Sequence, residues 1–336
     1  MLKIFWFLLT SWVMGHAQEF TIVKTEYLSP DLAQFDCHSS DIVETTPGCF
    51  CAVWKGGSGE GKSNIDMKEN VGIWHSLYDG ASWSYPHEIV KAEHSVCWTP
   101  VLCKLSEEEL LLFFRIGKDP RTVVSFLKRS FDHGKTWSEE EILPAGINGP
   151  TKCAPLVLAD GALLCPSSCA VGNPDEKHKA TAIWFDLSPD KGIHWSKIGP
   201  LEIPGRKFGV IEPALFEDGR SNLRILCRDR AHKIGEKGYL WTAESQDQGV
   251  SWSELTPTHL PNPDSGIDTI DLGEGRIVLL YNHSHDNRYP LHLAISSNGG
   301  NSWSSPYVID KTGEFPAGCI SQAGQLHITY AISEGV

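Results

Sequence analysis

The sequence lacks long hydrophobic runs and long helical repeats. No eighteen consecutive residues are apolar, and no stretch carries an extended helical periodicity. The first absence argues against a membrane-spanning helix, and the second argues against a helical fold. Low-complexity linkers are also missing, so the 336 residues are predicted to be mostly one long all-β domain.

Positive charge is scarce in this chain. Lys and Arg total 29 against 42 Asp and Glu, which gives a formal net charge of −13. A nucleic-acid partner is therefore not expected, because neutralising phosphates requires a basic surface. An anionic ligand would have to be held by a few locally placed arginines.

The beginning of the chain has the pattern of an export signal. Lys3 supplies a positive charge, residues 4–14 are mostly apolar, and small residues ending at Ala17 suit cleavage. We expect residues 1–17 to be a signal peptide and residues 18–336 to be a single domain. The mature protein is then expected to be secreted or periplasmic, without stable membrane insertion.

All ten cysteines lie beyond this predicted cleavage site. An even number in an exported protein permits disulfides, although most of these cysteines lie in apolar, strand-like runs that are typical of buried thiols. The pairing does not follow from the sequence. No cluster of Cys, His or carboxylates has the spacing of metal ligands, so neither a metal nor another cofactor is expected.

A turn motif, Ser-x-Asp-x-Gly-x-Ser/Thr-Trp, recurs along the chain. Its copies are residues 76–83, 130–137, 188–195, 245–252 and 296–303, with Tyr78 and Asn298 at two of the Asp positions. The Asp side chain can bond the backbone of its own turn, while Gly adopts φ > 0. Successive copies are 51 to 58 residues apart, measured at their last tryptophans, which is about one four-stranded blade.

Five motifs and a remainder without one predict a six-bladed β-propeller. The remainder, residues 315–332, has room for two strands, and residues 20–23 could add an outermost strand. Joining the two ends of the chain in one blade would close the ring and remove free sheet edges. We expect this last blade to have three strands.

With these Asp-box turns the chain resembles the sialidase (neuraminidase) superfamily of BNR-repeat proteins, most closely bacterial predicted neuraminidases. The resemblance implies that the boxes lie on the rim away from the ligand funnel. It also implies a site in which three arginines bind the sugar carboxylate, a Tyr assisted by a Glu attacks the anomeric carbon, and an Asp is the acid/base. By position, Arg228 and Arg288 match two of the arginines, and Glu212 matches the Glu.

Three positions depart from the pattern that the resemblance implies. His38 replaces the first arginine, Glu60 replaces the acid/base Asp in a Gly-rich loop, and Phe315 replaces the nucleophilic Tyr. Because Phe has no hydroxyl, the usual covalent route needs another tyrosine, such as Tyr281 or Tyr330. Further candidates for substrate contacts are Trp98, Arg121 and Asp268, and residues 149–152 and 262–268 are segments that could also line the funnel. An arginine motif at residues 114–117 follows the first box and is set aside.

Three functions remain open at this point. The first is an exported exo-α-sialidase-like glycoside hydrolase that acts on terminal acidic sugars of glycans. The second is a glycan-binding propeller without catalysis, which His38 and Phe315 favour. The third is a glycosidase or lyase for uronic acids, with His38 as general base and Tyr281 or Glu60 as acid. Each predicts a sialylated or uronate-containing carbohydrate as the partner.

Overall fold

The computed structural model describes residues 2–9, 20–28, 35–58, 71–119, 122–170, 181–206 and 208–332. Within these ranges the strands form six four-stranded antiparallel sheets, each a blade. The first strands of five blades contact one another in succession around a central axis, and in the remaining blade the second strand contacts the first strand of the next blade. The predicted all-β propeller is therefore confirmed.

The chain begins with β1 (Leu2–Leu9) and β2 (Phe20–Tyr27), which belong to the last blade. Blade 1 comprises β3 (Phe35–Thr46), β4 (Cys49–Ser58), β5 (Gly72–Tyr78) and β6 (His87–Val90). Blade 2 comprises β7 (Cys97–Lys104), β8 (Leu110–Ile116), β9 (Val124–Ser130) and β10 (Glu141–Ile142). Blade 3 comprises β11 (Leu156–Val157), β12 (Leu163–Ala170), β13 (Thr181–Ser188) and β14 (Ser196–Leu201).

Blade 4 comprises β15 (Val210–Glu217), β16 (Leu223–Asp229), β17 (Tyr239–Ser245) and β18 (Thr256–Pro261). A 3-10 turn at Ala231–Ile234 follows β16. Blade 5 comprises β19 (Asp268–Asp271), β20 (Ile277–Tyr281), β21 (Leu291–Ser296) and β22 (Tyr307–Asp310). Blade 6 comprises β23 (Gly313–Ile320) and β24 (Gln325–Ile332), followed outward by β1 and β2.

The second strands of the blades are nearly continuous apolar runs because both of their faces are covered by neighbouring blades. Every residue of β20 is buried, for example, and its side chains enter two different core clusters. Such runs are expected where a strand has no solvent-facing side. The core thus lies between the blades and fixes them around the axis.

The Asp boxes follow the third strands and are held by local hydrogen bonds. In the second blade, the Asp132 carboxylate accepts from the backbone N–H of Thr136 at 2.8 Å and from its hydroxyl at 2.7 Å. In the first blade, where Tyr78 occupies the motif position, Asp79 accepts two backbone bonds of 2.9 Å instead. A neighbouring carboxylate can therefore replace the missing Asp.

The boxes lie at the opposite end of the blades from the predicted site. In blade 4, the strand register pairs Ser245, which opens a box, with Leu223 at the start of β16. Arg228 lies near the other end of the same strand and pairs with Ile211. This separation agrees with the position that the family resemblance implies.

Bulges on the innermost strands create the other end of the channel. The register shifts at His38–Ser40, Trp98–Val101, Ile211–Ala214 and Glu314–Ala317. Ser39, Glu212 and Phe315 lie inside three of these shifts and adopt positive φ of 52°, 52° and 56°. A bulge leaves residues unpaired and redirects their side chains, so these positions form the channel mouth.

The last blade has four strands, so the prediction of three is wrong. β2 provides its outermost strand, as expected, but β1 lies between β2 and β24 and pairs with both. Ile4 of β1 is fully buried in a cluster with Ile42 and Phe50 of blade 1. The extra strand comes from the predicted signal peptide, whose apolar residues suit a buried strand equally well.

The ten cysteines are all free thiols, and seven are buried. The sequence had left disulfides open, and the structure contains none among these ten residues. Their role is in packing: Cys103 and Cys165, for instance, lie in the core cluster between blades 2 and 3.

Candidate functional site

Arg228 is the buried cation of the channel mouth. Its Nη1 lies 2.9 Å from Oε2 of Glu212, and its Nε lies 2.8 Å from Oδ1 of Asp264. Burial alone would lower the pKa of Arg228, but the two carboxylates outweigh this effect and raise it. Glu212 and Asp264 both adopt positive φ, of 52° and 58°, so an unusual backbone conformation accompanies each carboxylate that bonds Arg228.

Arg288 lies beside this pair and is more open. Its side chain is 38% exposed, and its two Nη atoms are each 3.9 Å from a carboxylate oxygen, of Asp264 and of Glu314. These distances exceed those of hydrogen bonds, and Arg288 makes no side-chain hydrogen bond to the residues that the structure describes. Its donors can therefore bind a ligand, whereas two donors of Arg228 are already occupied.

Phe315 lies at the centre of the mouth. Its ring centroid is 4.6 Å from that of His38, 5.4 Å from Cζ of Arg228 and 5.9 Å from Nζ of Lys152. Gly266 makes room for the ring, since a Cβ there would lie 3.2 Å from three ring carbons. The ring is 6% exposed and provides an apolar surface among cations.

Lys152 crosses the channel beneath Phe315. Its ammonium donates a 2.7 Å hydrogen bond to the carbonyl oxygen of Pro316, on the innermost strand of blade 6. The adjoining Cys153 donates from Sγ to the carbonyl of Ile267, next to blade 5, at 3.2 Å. The segment before blade 3 is thereby bonded to two distant blades, and it closes the floor of the site.

Two buried carboxylates accompany Lys152 at this floor. Asp41 accepts from the backbone N–H of Leu102 at 2.7 Å, and Asp268 accepts from that of Gly318 at 3.0 Å, so each links neighbouring blades. Burial, together with the charge of Asp268, raises the pKa of Asp41 to about 7. Burial opposes the charge of Lys152, but nearby acidic groups, Cys153 first and then Asp268 and Asp41, outweigh it and raise its pKa.

A further arginine borders the site from blade 2. Arg115 donates from Nη2 to the carbonyl of Thr151 at 3.1 Å, next to Lys152. Burial lowers its pKa to about 10, and the charge of Glu212 partly offsets this. The sequence analysis had set Arg115 aside, but the structure brings it to the edge of the same site.

Comparisons with known proteins agree with this architecture. The sequence profile described as BNR repeat-like domain matches residues 48–328. The chain belongs to the BNR repeat-like domain family. The sialidase (BNR-repeat) superfamily predicted from the Asp boxes is thus confirmed. No curated protein sequence matches this member of the family.

Solved structures with this fold include several sialidases. A protein of unknown function from Dyadobacter fermentans has a TM-score of 0.71 at 15% identity, with 89% of this chain and 96% of that chain covered. The NanB sialidase from Streptococcus pneumoniae has a TM-score of 0.72 at 12% identity, with 90% and 66% covered. The intramolecular trans-sialidase from Ruminococcus gnavus, bound to oseltamivir carboxylate, has a TM-score of 0.65 at 14% identity, with 88% and 90% covered. The TM-scores establish a shared fold, and at these low identities the likeness extends no further than the fold.

Most of the predicted site residues of this BNR repeat-like protein lie together. Arg228, Arg288, His38 and Glu212 surround Phe315, although they come from four regions of the chain. Asp268 lies below them, with 6% exposure, and its carboxylate serves as a link between blades rather than an open substrate contact.

Other predicted residues lie elsewhere. Tyr281 is fully buried in the core between blades 4 and 5, with its hydroxyl 2.6 Å from Nδ1 of His283, which corrects its prediction as a catalytic residue. Trp98 packs with Val71 and Val96, and its indole N–H donates to the carbonyl of Gly117, so it is a structural side chain. Glu60 and Arg121 lie outside the described residues.

The sequence did not single out Asp264 and Lys152 individually. It pointed to the loops that contain them, residues 262–268 and 149–152, as segments that could line the funnel. Both loops are rich in Gly, Pro and polar residues and lie between blades. The structure places the two charged side chains at the site.

Neither a metal site nor a membrane span is found in the part of the chain that the structure describes. No group of three or more His, Cys, Asp or Glu side chains there could hold a metal ion. None of the helices in that part is long and apolar enough to cross a bilayer.

Proposed function

We propose that this protein binds terminal acidic sugars of glycans at the mouth formed by Arg228, Arg288 and His38. The observation that carries the proposal is the contrast between the two arginines. Arg228 is fixed by Glu212 and Asp264, and Arg288 has its donors open at 38% exposure beside the same pair. A sugar carboxylate would complete the hydrogen bonding of Arg288.

The distribution of charge supports an anionic ligand. The chain carries a formal charge of −13, so a cationic mouth must be built locally. Arg228, Arg288, Lys152 and Arg115 bring four positive charges to the surroundings of Phe315. Glu212 and Asp264 bond Arg228, whereas the donors of Arg288 lie 3.9 Å from the nearest carboxylate oxygens. A carboxylate bound among them would be desolvated, and each charge-assisted hydrogen bond contributes roughly 1.5 to 3 kcal/mol.

The same geometry argues for slow hydrolysis by the usual sialidase route. Phe315 stands where the family resemblance implies the nucleophilic Tyr, and a phenyl ring cannot form a glycosyl-enzyme bond. Tyr281 and Tyr330 are both fully buried, and the hydroxyl of Tyr330 donates to Asp310 at 2.9 Å. Binding is therefore the function that the described residues support best.

A binding experiment tests the proposal. Affinities for 3′-sialyllactose, methyl glucuronide and lactose would be measured by calorimetry with wild type and Arg288→Gln. We expect wild type to bind an acidic sugar and not lactose, and Arg288→Gln to weaken that binding about tenfold or more. The comparison of the sialoside with the glucuronide identifies the class of acid.

The control for this experiment is Asp132→Ala, in an Asp box at the other end of the blades. It should lower thermal stability and leave affinity unchanged, because it removes three hydrogen bonds to the Asp132 carboxylate within a turn. Equal affinity of wild type for lactose and the acidic sugars, or equal losses in both variants, would contradict the proposal.

A second candidate is uronate chemistry with His38 as general base. It is favoured by the position of the His38 ring, 4.6 Å from Phe315 at the site centre. Assaying uronate-containing oligosaccharides for new reducing ends and for the unsaturated product of a lyase would test it. Turnover that His38→Gln abolishes would favour this candidate, and binding without turnover would exclude it.

A further inference from the structure

Arg230 is a further arginine beside the site. Its Cζ lies 5.6 Å from the ring centroid of Phe208, and its buried Nε donates no hydrogen bond to the residues that the structure describes. Among the described residues, none forms a hydrogen bond or ion pair with this guanidinium. An arginine that is desolvated on one face and lacks an acid is costly unless a ligand supplies the acceptor.

Arg230 lies close to the mouth. It is the residue directly after β16, two positions beyond Arg228, and its charge interacts with those of Asp264, Arg228 and Glu212. The intervening Asp229 accepts from the Trp241 indole at 3.2 Å and pairs with Arg206 at 2.9 Å. Asp229 is therefore engaged elsewhere, and Arg230 is left without an acid.

The turn after β16 adds another cation at the rim. Lys233, which is 47% exposed, has its Nζ 3.8 Å from Oδ2 of Asp264. The same oxygen faces Arg288 at 3.9 Å and forms no hydrogen bond in the structure. One carboxylate of a terminal sugar can satisfy Arg288, but it leaves the donors of Arg230 unmatched.

We infer that Arg230, backed by Phe208, forms a second anion-binding position beside the carboxylate site. The ligand is then an acidic oligosaccharide with a negative group on the sugar next to the terminal one. This inference rests on the proposed function, since Arg288 is taken to bind the terminal carboxylate.

The test compares ligands with one and two carboxylates on the full chain. The probes are 3′-sialyllactose and its α2,8-disialyl counterpart, or methyl glucuronide and a diglucuronide, according to the class that wild type binds. We expect Arg230→Gln to weaken the two-carboxylate ligand about tenfold and the single-carboxylate ligand less than about twofold. Arg288→Gln should weaken both ligands.

Two further variants control for folding and net charge. Arg230→Lys keeps the charge and should recover part of the affinity for the two-carboxylate ligand. Lys135→Gln makes the same change in charge at an exposed box residue and should alter neither affinity. Thermal unfolding of every variant separates a loss of binding from a loss of structure.

The outcomes separate this inference from the proposed function. If Arg230→Gln affects both ligands equally or neither, while Arg288→Gln weakens both, the second position is refuted and the first one stands. If Arg288→Gln has no effect, or wild type binds none of the probes, both are refuted. A loss confined to the two-carboxylate ligand in Arg230→Gln supports the inference.

Discussion

The ring of Phe315 lies among His38, Arg228 and Lys152, and it contains no atom that can attack a sugar. Its positive φ of 56° and the bulge around it place an aromatic side chain at the centre of the mouth. At the scale of one residue, therefore, a side chain without a hydroxyl stands where the family resemblance predicts the nucleophilic Tyr. The consequence can be examined by restoring the missing oxygen.

We predict that Phe315→Tyr raises the turnover of an activated aryl sialoside above a slow or absent wild-type rate. The new hydroxyl would lie near the Arg228–Glu212 pair, where Glu212 can take its proton. Steady-state release of the aryl group measures the effect, and Phe315→Leu is the matched control without a hydroxyl. Wild-type turnover at ordinary enzymatic rates of about 1 to 10³ per second would show that the nucleophile is a different residue.

Asp41 illustrates a residue whose burial makes stability depend on pH. Its pKa is about 7 in the folded protein against an ordinary value of 3.8 for an Asp side chain. Between these values the folded state binds more protons than the unfolded state, so the contribution of Asp41 lowers the free energy of unfolding as pH rises from about 4 to about 7. The physical cause is the cost of an ionised carboxylate away from water.

We predict that Asp41→Asn flattens this pH dependence, because Asn does not titrate. Denaturant unfolding of wild type and variant at several values between about pH 4 and about pH 7 measures the slope. Asp286→Asn makes the same change at an exposed position and should leave the slope as in wild type. A slope that is identical in wild type and Asp41→Asn would refute the assignment.

At the scale of elements, β1 decides how the ring closes. It separates β24 from β2 and pairs with both along most of its length. Cleavage near Ala17 would remove β1 and leave β2 without the strand it pairs with. Export and cleavage of residues 1–17 remain a proposal. N-terminal sequencing tests cleavage directly, and the topology adds a second test, because loss of β1 should lower the stability of the protein.

We predict that a chain beginning at Gln18 unfolds at a lower temperature than the full chain. The loss includes the fully buried Ile4, so Ile4→Ala in the full chain should itself cost about 2 to 5 kcal/mol. Ile22→Ala on β2, where the side chain is 41% exposed, is the matched control and should cost little. Equal melting temperatures for the long and short chains would show that β1 is dispensable.

At the scale of the whole molecule, Lys152 bonds blades that are far apart around the ring. Its hydrogen bond to Pro316 joins the approach to blade 3 with blade 6, and Asp41 and Asp268 provide opposite charge from blades 1 and 5. Removing the ammonium would leave the carbonyl of Pro316 without its donor and would remove the charge that favours ionised Asp41 and Asp268. Leaving a buried charge uncompensated in this way typically costs about 3 to 5 kcal/mol.

We predict that Lys152→Met destabilises the protein by about that amount, as measured by denaturant unfolding. Lys135→Met, at an exposed Asp-box position, removes the same charge and should have little effect. If the two variants were equally stable, Lys152 would not connect the blades energetically.

The repeat, and hence the fold, can be predicted from the amino-acid sequence alone. The Asp-box motif is local: its Asp, Gly and Trp specify one turn, and their spacing specifies a blade, so no long-range information is needed. The sequence also indicated Arg228, Arg288, His38, Glu212 and Phe315, because a family resemblance fixes positions relative to those turns.

Other features depend on contacts between segments that are distant in the sequence, and these contacts exist only in the folded chain. The apolar pattern of residues 4–14 suits both a signal peptide and a buried strand. Its place as a strand follows from pairing with β24, which comes from the other end of the chain, and with β2. Tyr281 is buried because two blades pack against each other. Lys152 reaches across the axis because the blades close into a ring. Local pattern specifies turns and strands, whereas burial and electrostatic partners are set by how the blades meet.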